Sequence, residues 1–251
     1  TMPAGSEFEF DESASGEFRG EEMTDAMQFS HAGWEAYYAE HAGERAWGGL
    51  PDGFLMEHID DLIQDEASIV LDVASGDGRN SEPFLERGLS VVAADLSPAA
   101  LRTFAKRCQT GDRRKPCLLS GDFLASGLVS DQFDAIVCFN SIPHFESPSQ
   151  ALYKIADLLR PGGRAAFNAF TPGDVAFGQG KNVGPNRYYY METLFTFMTE
   201  DDVKSILPLS VSVVHSETRK WQEPDHGTYR RGTHTHEACF FIIEKKGNRL
   251  G

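Results

Sequence analysis

The apolar positions of the chain change period along its length, and those changes mark its elements. Short unbroken apolar runs near 69–73, 90–94, 117–120, 133–139 and 164–169 predict strands buried on both faces. Between them the pattern turns helical near 79–87, 98–108 and 149–159. Ser97-Pro98 is a good helix start, with serine as cap and proline in the first turn. An earlier helix over 53–64 places Phe54, Leu55, Ile59, Leu62 and Ile63 at its apolar positions. Thr199 caps a short helix near 200–207, and two long strands near 211–221 and 237–244 close as a hairpin. Strand alternating with helix predicts a mostly parallel sheet with helices on both faces. Open sheets of this kind bind ligands beyond the carboxyl ends of their parallel strands. If the strand at 211–221 runs parallel to the core, its carboxyl end lies at that edge. The connection from Gln222 to His236 then begins over it.

The remaining segments differ in character. Residues 1–22, rich in Glu, Ser and Gly, predict a flexible acidic tail, and Gly5-Ser-Glu-Phe8 reads as a cloning remnant. Residues 23–251 are expected to form one domain. Two aromatic segments are candidates for a lid, within 28–64 and 172–197. The first carries Trp34, Tyr37, Tyr38 and Trp47, and the second carries Tyr189 and Phe197. Such rings either close and dry a pocket or simply pack. Pro172 to Pro185 is glycine-punctuated without an apolar period and predicts a mobile stretch.

Charge narrows the partners. The net charge is −15, from 38 acidic and 23 basic residues. Nucleic-acid binding relies on clustered Lys and Arg, so no nucleic-acid partner is expected. The short runs Arg113-Arg114-Lys115 and Tyr229-Arg-Arg231 do not change that. No apolar run approaches ~20 residues, so no membrane partner is expected. The four cysteines, Cys108, Cys117, Cys138 and Cys239, have no CxxC spacing. Cys117, Cys138 and Cys239 fall in predicted strands and read as buried apolar residues. Reduced thiols and the lack of a signal-peptide pattern predict a cytoplasmic protein. Oligomeric state is not legible.

The most chemically informative stretch runs from Ile69 to Ser81: an apolar strand, a tight glycine turn and a helix start. A dinucleotide fingerprint wants three glycines, but here Gly76 and Gly78 are followed by Ser81. A P-loop wants Lys then Ser or Thr, and Arg79-Asn80 stand there instead. Asp72 and Asp77 would repel a polyphosphate and suit a positively charged nucleotide such as S-adenosylmethionine. Asp95 ends the second strand, where an acidic residue accepts ribose hydroxyls. That feature alone fits NAD and S-adenosylmethionine equally. Both carboxylates could instead only cap the following helices.

Val70 to Gly78 resembles the first motif of the class I S-adenosylmethionine-dependent methyltransferases, and Val91 to Pro98 the second. Ser120-Gly-Asp-Phe123, Phe133 to Asn140 and Leu158-Leu-Arg-Pro-Gly-Gly163 resemble three later motifs, in the family's order. The resemblance covers roughly residues 34–245. Ala74 stands where the family usually has glycine. The Gly-Arg-Asn-Ser continuation is most similar, within that class, to small-molecule enzymes of the tellurite-resistance and thiopurine type. The resemblance implies a Rossmann-like α/β fold: a seven-stranded, mostly parallel sheet with an antiparallel last strand. It implies S-adenosyl-L-methionine as cofactor and a small-molecule methyl acceptor attacking through O, N, S or a metalloid. It also implies a cofactor site of Asp72, Ala74, Ser75, Gly76, Gly78, Asn80, Asp95, Leu96, Asp122, Phe123 and Asn140. Asp122 would contact the adenine amino group. The competing readings are an NAD-type oxidoreductase, a non-catalytic cofactor-binding module, or an enzyme acting on protein.

Three histidines are candidates for acid–base chemistry. His144 follows the fourth strand, and His234 and His236 lie at the start of the last. His144 could equally be packing. The His234-x-His236 pair alternates and so points to one side of a strand. With no third ligand evident in the sequence, no metal is expected. Tyr37, Trp47, Tyr189 and Phe197 are the candidate acceptor-facing rings.

Overall fold

A computed structural model describes residues 25–42, 45, 49–63, 68–109, 114–191, 193–223 and 233–247, with backbone only for 25–30. The acidic tail, Trp47 and the 229–231 run lie outside the described residues. Five strands supply the parallel core: β1 (Ile69–Val73), β2 (Ser90–Asp95), β3 (Cys117–Ser120), β4 (Phe133–Cys138) and β5 (Leu159–Phe170). The hairpin of β9 (Val211–Glu223) and β10 (His234–Lys245) completes a seven-stranded sheet ordered β3-β2-β1-β4-β5-β10-β9. Strand β10 is antiparallel to β5, and β9 is antiparallel to β10, so β9 again runs with the core. The carboxyl end of β9 and the start of β10 therefore share the edge formed by the carboxyl ends of β1, β2, β4 and β5.

Alternation along the strands builds two apolar layers. Leu71, Ile136, Cys138 and Phe167 face one layer, with Leu152 and Ile155 of α5 (Pro148–Leu158) and Val203 of α6 (Glu200–Ile206). Val70, Ala135, Val137 and Ala166 face the other. There they meet Phe54 and Ile59 of α2 (Gly53–Leu62), Phe84 of α3 (Glu82–Glu86) and Phe104 of α4 (Pro98–Cys108). The caps follow the sequence. Ser97 accepts from Ala100 N, Asp52 from Phe54 N, and Thr199 with Asp202 forms a capping box.

Several expectations change. The helix predicted over 79–87 shrinks to α3, because the glycine turn occupies 74–81 as irregular backbone. The strand predicted at 164–169 begins at Leu159, and the hairpin strands lengthen to 223 and 234. The stretch predicted mobile, Pro172 to Pro185, contains β6 (Lys181–Gly184). It pairs with β7 (Arg187–Tyr190), which pairs with β8 (Thr193–Thr196), in a small antiparallel sheet. Cys117 is exposed rather than buried, on the edge strand β3; Cys138 and Cys239 are buried as expected. Trp34, Tyr37 and Tyr38 of the aromatic N-terminal run lie on a helix, α1 (Asp25–Glu40). Among the described residues, no helix is long and apolar enough to cross a membrane.

Candidate active site

The turn after β1 departs from the strand through Ala74, whose φ is +54°, followed by Gly76 and Gly78 at +55° and +84°. A Cβ on Gly78 would enter the ring of Phe104, and one on Gly76 would meet the Tyr38 hydroxyl. Gly78 is thus required by conformation and by space, whereas at Gly76 the obstacle is the tip of the Tyr38 side chain and Ala74 adopts the same φ in the same turn. Gly76 N donates to Asp95 Oδ2 at 2.7 Å, and Ser97 N to Oδ1 at 2.8 Å. Asp95 therefore ties the two strand ends together. Asp72 accepts from Ser81 Oγ at 2.7 Å, and Asn80 Oδ1 accepts from Asp52 N at 2.9 Å. Asp77 is paired with Arg107 at 3.2 Å. Ser75 is buried in the turn.

Both strand-end carboxyls are held above the ordinary carboxylate range. Burial pushes Asp72 up to about 7; the Ser81 hydrogen bond opposes the rise, and the Asp95 charge adds to it. Burial also pushes Asp95 up to about 6, against the hydrogen bonds from Ser97 and Gly76.

Helix α1 lies across this edge. Glu35 Oε2 accepts from Ser97 Oγ at 2.5 Å and from Ala99 N at 3.0 Å, and so caps α4. His31 Nε2 is 3.0 Å from Leu96 O. Tyr37 is buried against Tyr38, Ala99 and Ala100, so it anchors the helix instead of facing a ligand as expected. Further along the edge, Asp122 accepts from Leu124 N at 2.9 Å, and Phe123 is buried against Phe145. Asn140 sits in the left-handed region at φ +56°. It exchanges two hydrogen bonds with Asn168: its N–H donates to Oδ1 at 2.6 Å, and its Oδ1 accepts from Nδ2 at 2.8 Å.

His144 stands beyond Asn140 in a cage of rings. Its centroid is 4.6 Å from Phe195, 5.5 Å from Trp34 and 6.4 Å from Phe170. Nδ1 lies 2.7 Å from the Leu194 carbonyl, which can only accept. That contact fixes the proton on Nδ1 and presents Nε2 as an acceptor. Burial lowers its pKa to about 4, partly offset by the Leu194 bond, so the ring is neutral near pH 7.

Across Phe170 lies the histidine hairpin. Register places Glu223 opposite His234 and Trp221 opposite His236. The two Nε2 atoms are 3.1 Å apart, so the histidines do share a side of the strand. His236 stacks on Phe170 at 5.5 Å, and its Nδ1 is 2.7 Å from Asp174 Oδ2. Burial disfavours its charge, but the bonds to Asp174 and Glu223 prevail and raise its pKa to about 9. The expectation of no metal rested on a missing third donor. Folding supplies one in Glu223, 3.6 Å from His236 and 3.9 Å from His234.

One acceptor-facing expectation is corrected in part. Phe197 is fully buried, stacked under Phe195 at 5.9 Å, and so supports a cage ring without being one. Tyr189 is half-buried in β7, paired in register with Leu194 and Lys181. Glu35, Phe170, Phe195, Asp174 and Glu223 were missed. Phe195 lay inside the flagged aromatic run; the others carried no local signal.

Residues 71–167 match a family described as a methyltransferase domain. The chain is 30% identical over 160 residues to demethylmenaquinone methyltransferase of Renibacterium salmoninarum, covering 62% of this chain and 61% of that one. It is 29% identical over 120 residues to ubiquinone biosynthesis O-methyltransferase of Idiomarina loihiensis, covering 46% of each. The chain spans between 38% and 61% of the length of three demethylmenaquinone methyltransferases that it matches. Among solved structures, the fold is shared with a putative methyltransferase from Bacillus halodurans. That match has a TM-score of 0.62 at 16% identity, over 78% of this chain and 100% of the other. The fold is also shared with 1,6-didemethyltoxoflavin-N1-methyltransferase of Burkholderia thailandensis, solved with S-adenosylhomocysteine. Here the TM-score is 0.55 at 21% identity, over 88% of this chain and 85% of the other.

Proposed function

We propose that this chain is a class I S-adenosylmethionine-dependent methyltransferase and transfers a methyl group to a small aromatic acceptor held against His144. One observation carries the reading: the buried carboxyls at the ends of β1 and β2 share a sheet edge with a neutral histidine in a cage of rings. S-adenosylmethionine, when bound, supplies a methyl group on a cationic sulfonium. The residues present fit that group. The glycines of the turn let Tyr38 and Phe104 close against its backbone, which keeps the turn's shape, and the buried Asp72 and Asp95 carboxyls at its edge can be ionised by a cation. Asp95 would hold the ribose, since a carboxylate oxygen that takes one backbone N–H retains acceptor capacity. Asp122 and Phe123 would border the adenine. The remaining turn residues, Ala74, Ser75, Asn80 and Leu96, would line the cofactor through backbone or side chain, with Asn140 at the methyl end.

His144 acts as an orienting acceptor rather than a strong base. A pKa of about 4 makes its imidazolium too unstable to hold a proton near pH 7. Its Nε2 can still accept a hydrogen bond from an acceptor's O–H or N–H and set the attacking atom in line. Trp34, Phe170 and Phe195 suit a flat ring and exclude water. Several relatives are named for quinone-pathway substrates, which supports a ring-bearing acceptor. The tellurite-resistance or thiopurine type is the narrower alternative.

Calorimetry with S-adenosylmethionine, S-adenosylhomocysteine and NAD(H) tests the cofactor; binding of NAD(H) alone sinks the proposal. Labelled-methyl transfer to phenols, catechols, aromatic thiols and tellurite tests the acceptor. Transfer to tellurite or thiols only would replace the ring-hydroxyl reading with the narrower type. His144→Phe should lower turnover ~10²-fold with cofactor affinity unchanged. The pH profile of the parent should show no limb from His144 between ~6 and ~8.

A further inference from the structure

We propose that Glu223, His234 and His236 form a binding site for a divalent transition-metal ion, with Asp174 as its supporting carboxylate. His234 Nε2, His236 Nε2 and Glu223 Oε2 stand 3.1, 3.6 and 3.9 Å from one another. Ligands bonded to a tetrahedral zinc ion at ~2.0–2.1 Å lie ~3.3 Å apart, so the three atoms surround a space of the right size. Two imidazole nitrogens at such a distance need something between them, either a shared proton or a cation.

The surroundings favour the cation. Asp174 is fully buried and accepts from His236 Nδ1 at 2.7 Å, which aims the Nε2 lone pair at the trio. That is the carboxylate–histidine relay that orients metal ligands. Asp174 is itself fixed by Ala176 N at 2.8 Å and Glu237 N at 3.2 Å. Phe170 and Trp221 brace the His236 ring at 5.5 and 5.4 Å. Glu223 is oriented as well, its Oε1 accepting from Trp221 Nε1 at 3.0 Å. Imidazole donors select zinc and its neighbours over magnesium or calcium, which prefer oxygen throughout. Three protein ligands leave a fourth position for water or an acceptor, the arrangement of a reactive rather than a structural site.

A second trio, His58, His215 and Glu217, has similar spacing. Its carboxylate already pairs with Arg219 at 2.6 Å, which removes the charge a cation needs. This second trio serves as the internal control.

Metal binding does not rest on the methyl-transfer reading, so either can fail alone. The full chain, stripped with a chelator, is titrated with Zn²⁺ by calorimetry and with Co²⁺ by visible absorption. One equivalent of each is expected, with the intense Co²⁺ bands of low coordination. His234→Ala and Glu223→Gln should abolish binding. Asp174→Asn should weaken it ~10–100-fold while keeping the stoichiometry, and His58→Ala should leave it unchanged. Circular dichroism identifies any variant that fails to fold, and Glu223→Gln, half-buried at the sheet margin, is the mildest. No saturable binding would mean the histidines share only a proton. Binding that survives both His234→Ala and Glu223→Gln, or that is lost with His58→Ala, also overturns the assignment.

Discussion

At one end of the ligand edge, Asp72 and Asp95 are buried and hold their protons up to about 7 and about 6, because nearby positive charge offsets only part of the cost of burial. At the other end, His236 lies between Asp174 and Glu223 and holds its proton up to about 9. Both ends carry more negative than positive charge, yet by different construction. The first is made of irregular backbone and acids held by a hydroxyl, at Asp72, and by N–H groups, at Asp95. The second is made of paired strands, with ligating atoms facing one another across a hairpin. On the proposed reading, the first end suits a large organic cation and the second something the size of a proton or an ion. His144, neutral among its rings, separates the two.

The comparison breaks most easily at Gly78. Gly78→Ala drives a methyl into Phe104 and strains a φ of +84°, so unfolding free energy should fall by ~2–4 kcal/mol in denaturant titration. A loss near zero would mean the turn relaxes and is not a rigid cradle. Next, Asp95→Ala should weaken cofactor binding by ~1.5–3 kcal/mol in calorimetry, if its bonds to the ribose are charge-assisted. Unchanged affinity would leave Asp95 as a strand tie alone.

The contrast also makes a prediction in pH. Unfolded aspartates titrate near ~3.9, so both buried carboxyls hold protons more tightly when folded. Their contribution favours the fold at low pH and is lost as pH rises through about 6 and about 7. A cationic ligand reverses this by stabilising the ionised acids. Affinity for S-adenosylmethionine should therefore drop up to ~10-fold per pH unit just below ~7, and more steeply below ~6 where both acids are protonated. A flat affinity across that range would show that the acids do not sense the ligand's charge. The smallest effect belongs to Glu35→Ala, which removes a second cap from α4 and should cost ~1 kcal/mol in thermal unfolding. A rise in KM beyond that loss would show that α1 also shapes the site.

The sheet was legible because its strands are continuous apolar runs separated by turn residues, a pattern that buried parallel strands impose. The turn after β1 was legible for a related reason: Asp72 to Gly78 and Asp95 are local signals, since turn chemistry is written in adjacent residues. The histidine end was not. Glu223 and His236 meet only through hairpin register, and Phe170 meets His144 only through the sheet. Glu35 finds Ser97 across the chain because a helix outside the sheet folds back over it. The short α3 escaped for the opposite reason, because a helical apolar pattern near 79–87 lost its first residues to the strained turn. Tyr37 and Phe197 show that an aromatic run cannot say which rings face inward.

Helix α1 has a further consequence. His31, Trp34, Glu35 and Tyr38 reach Leu96, His144, Ser97 and Gly76 from one stretch of about two turns, ~10 Å long. The helix thus works as a ruler laid across three strand ends, fixing their separation as well as covering them. A single residue inserted between His31 and Tyr38 would swing part of that ruler by ~100°. It would misalign one end or the other while leaving every residue of the sheet in place.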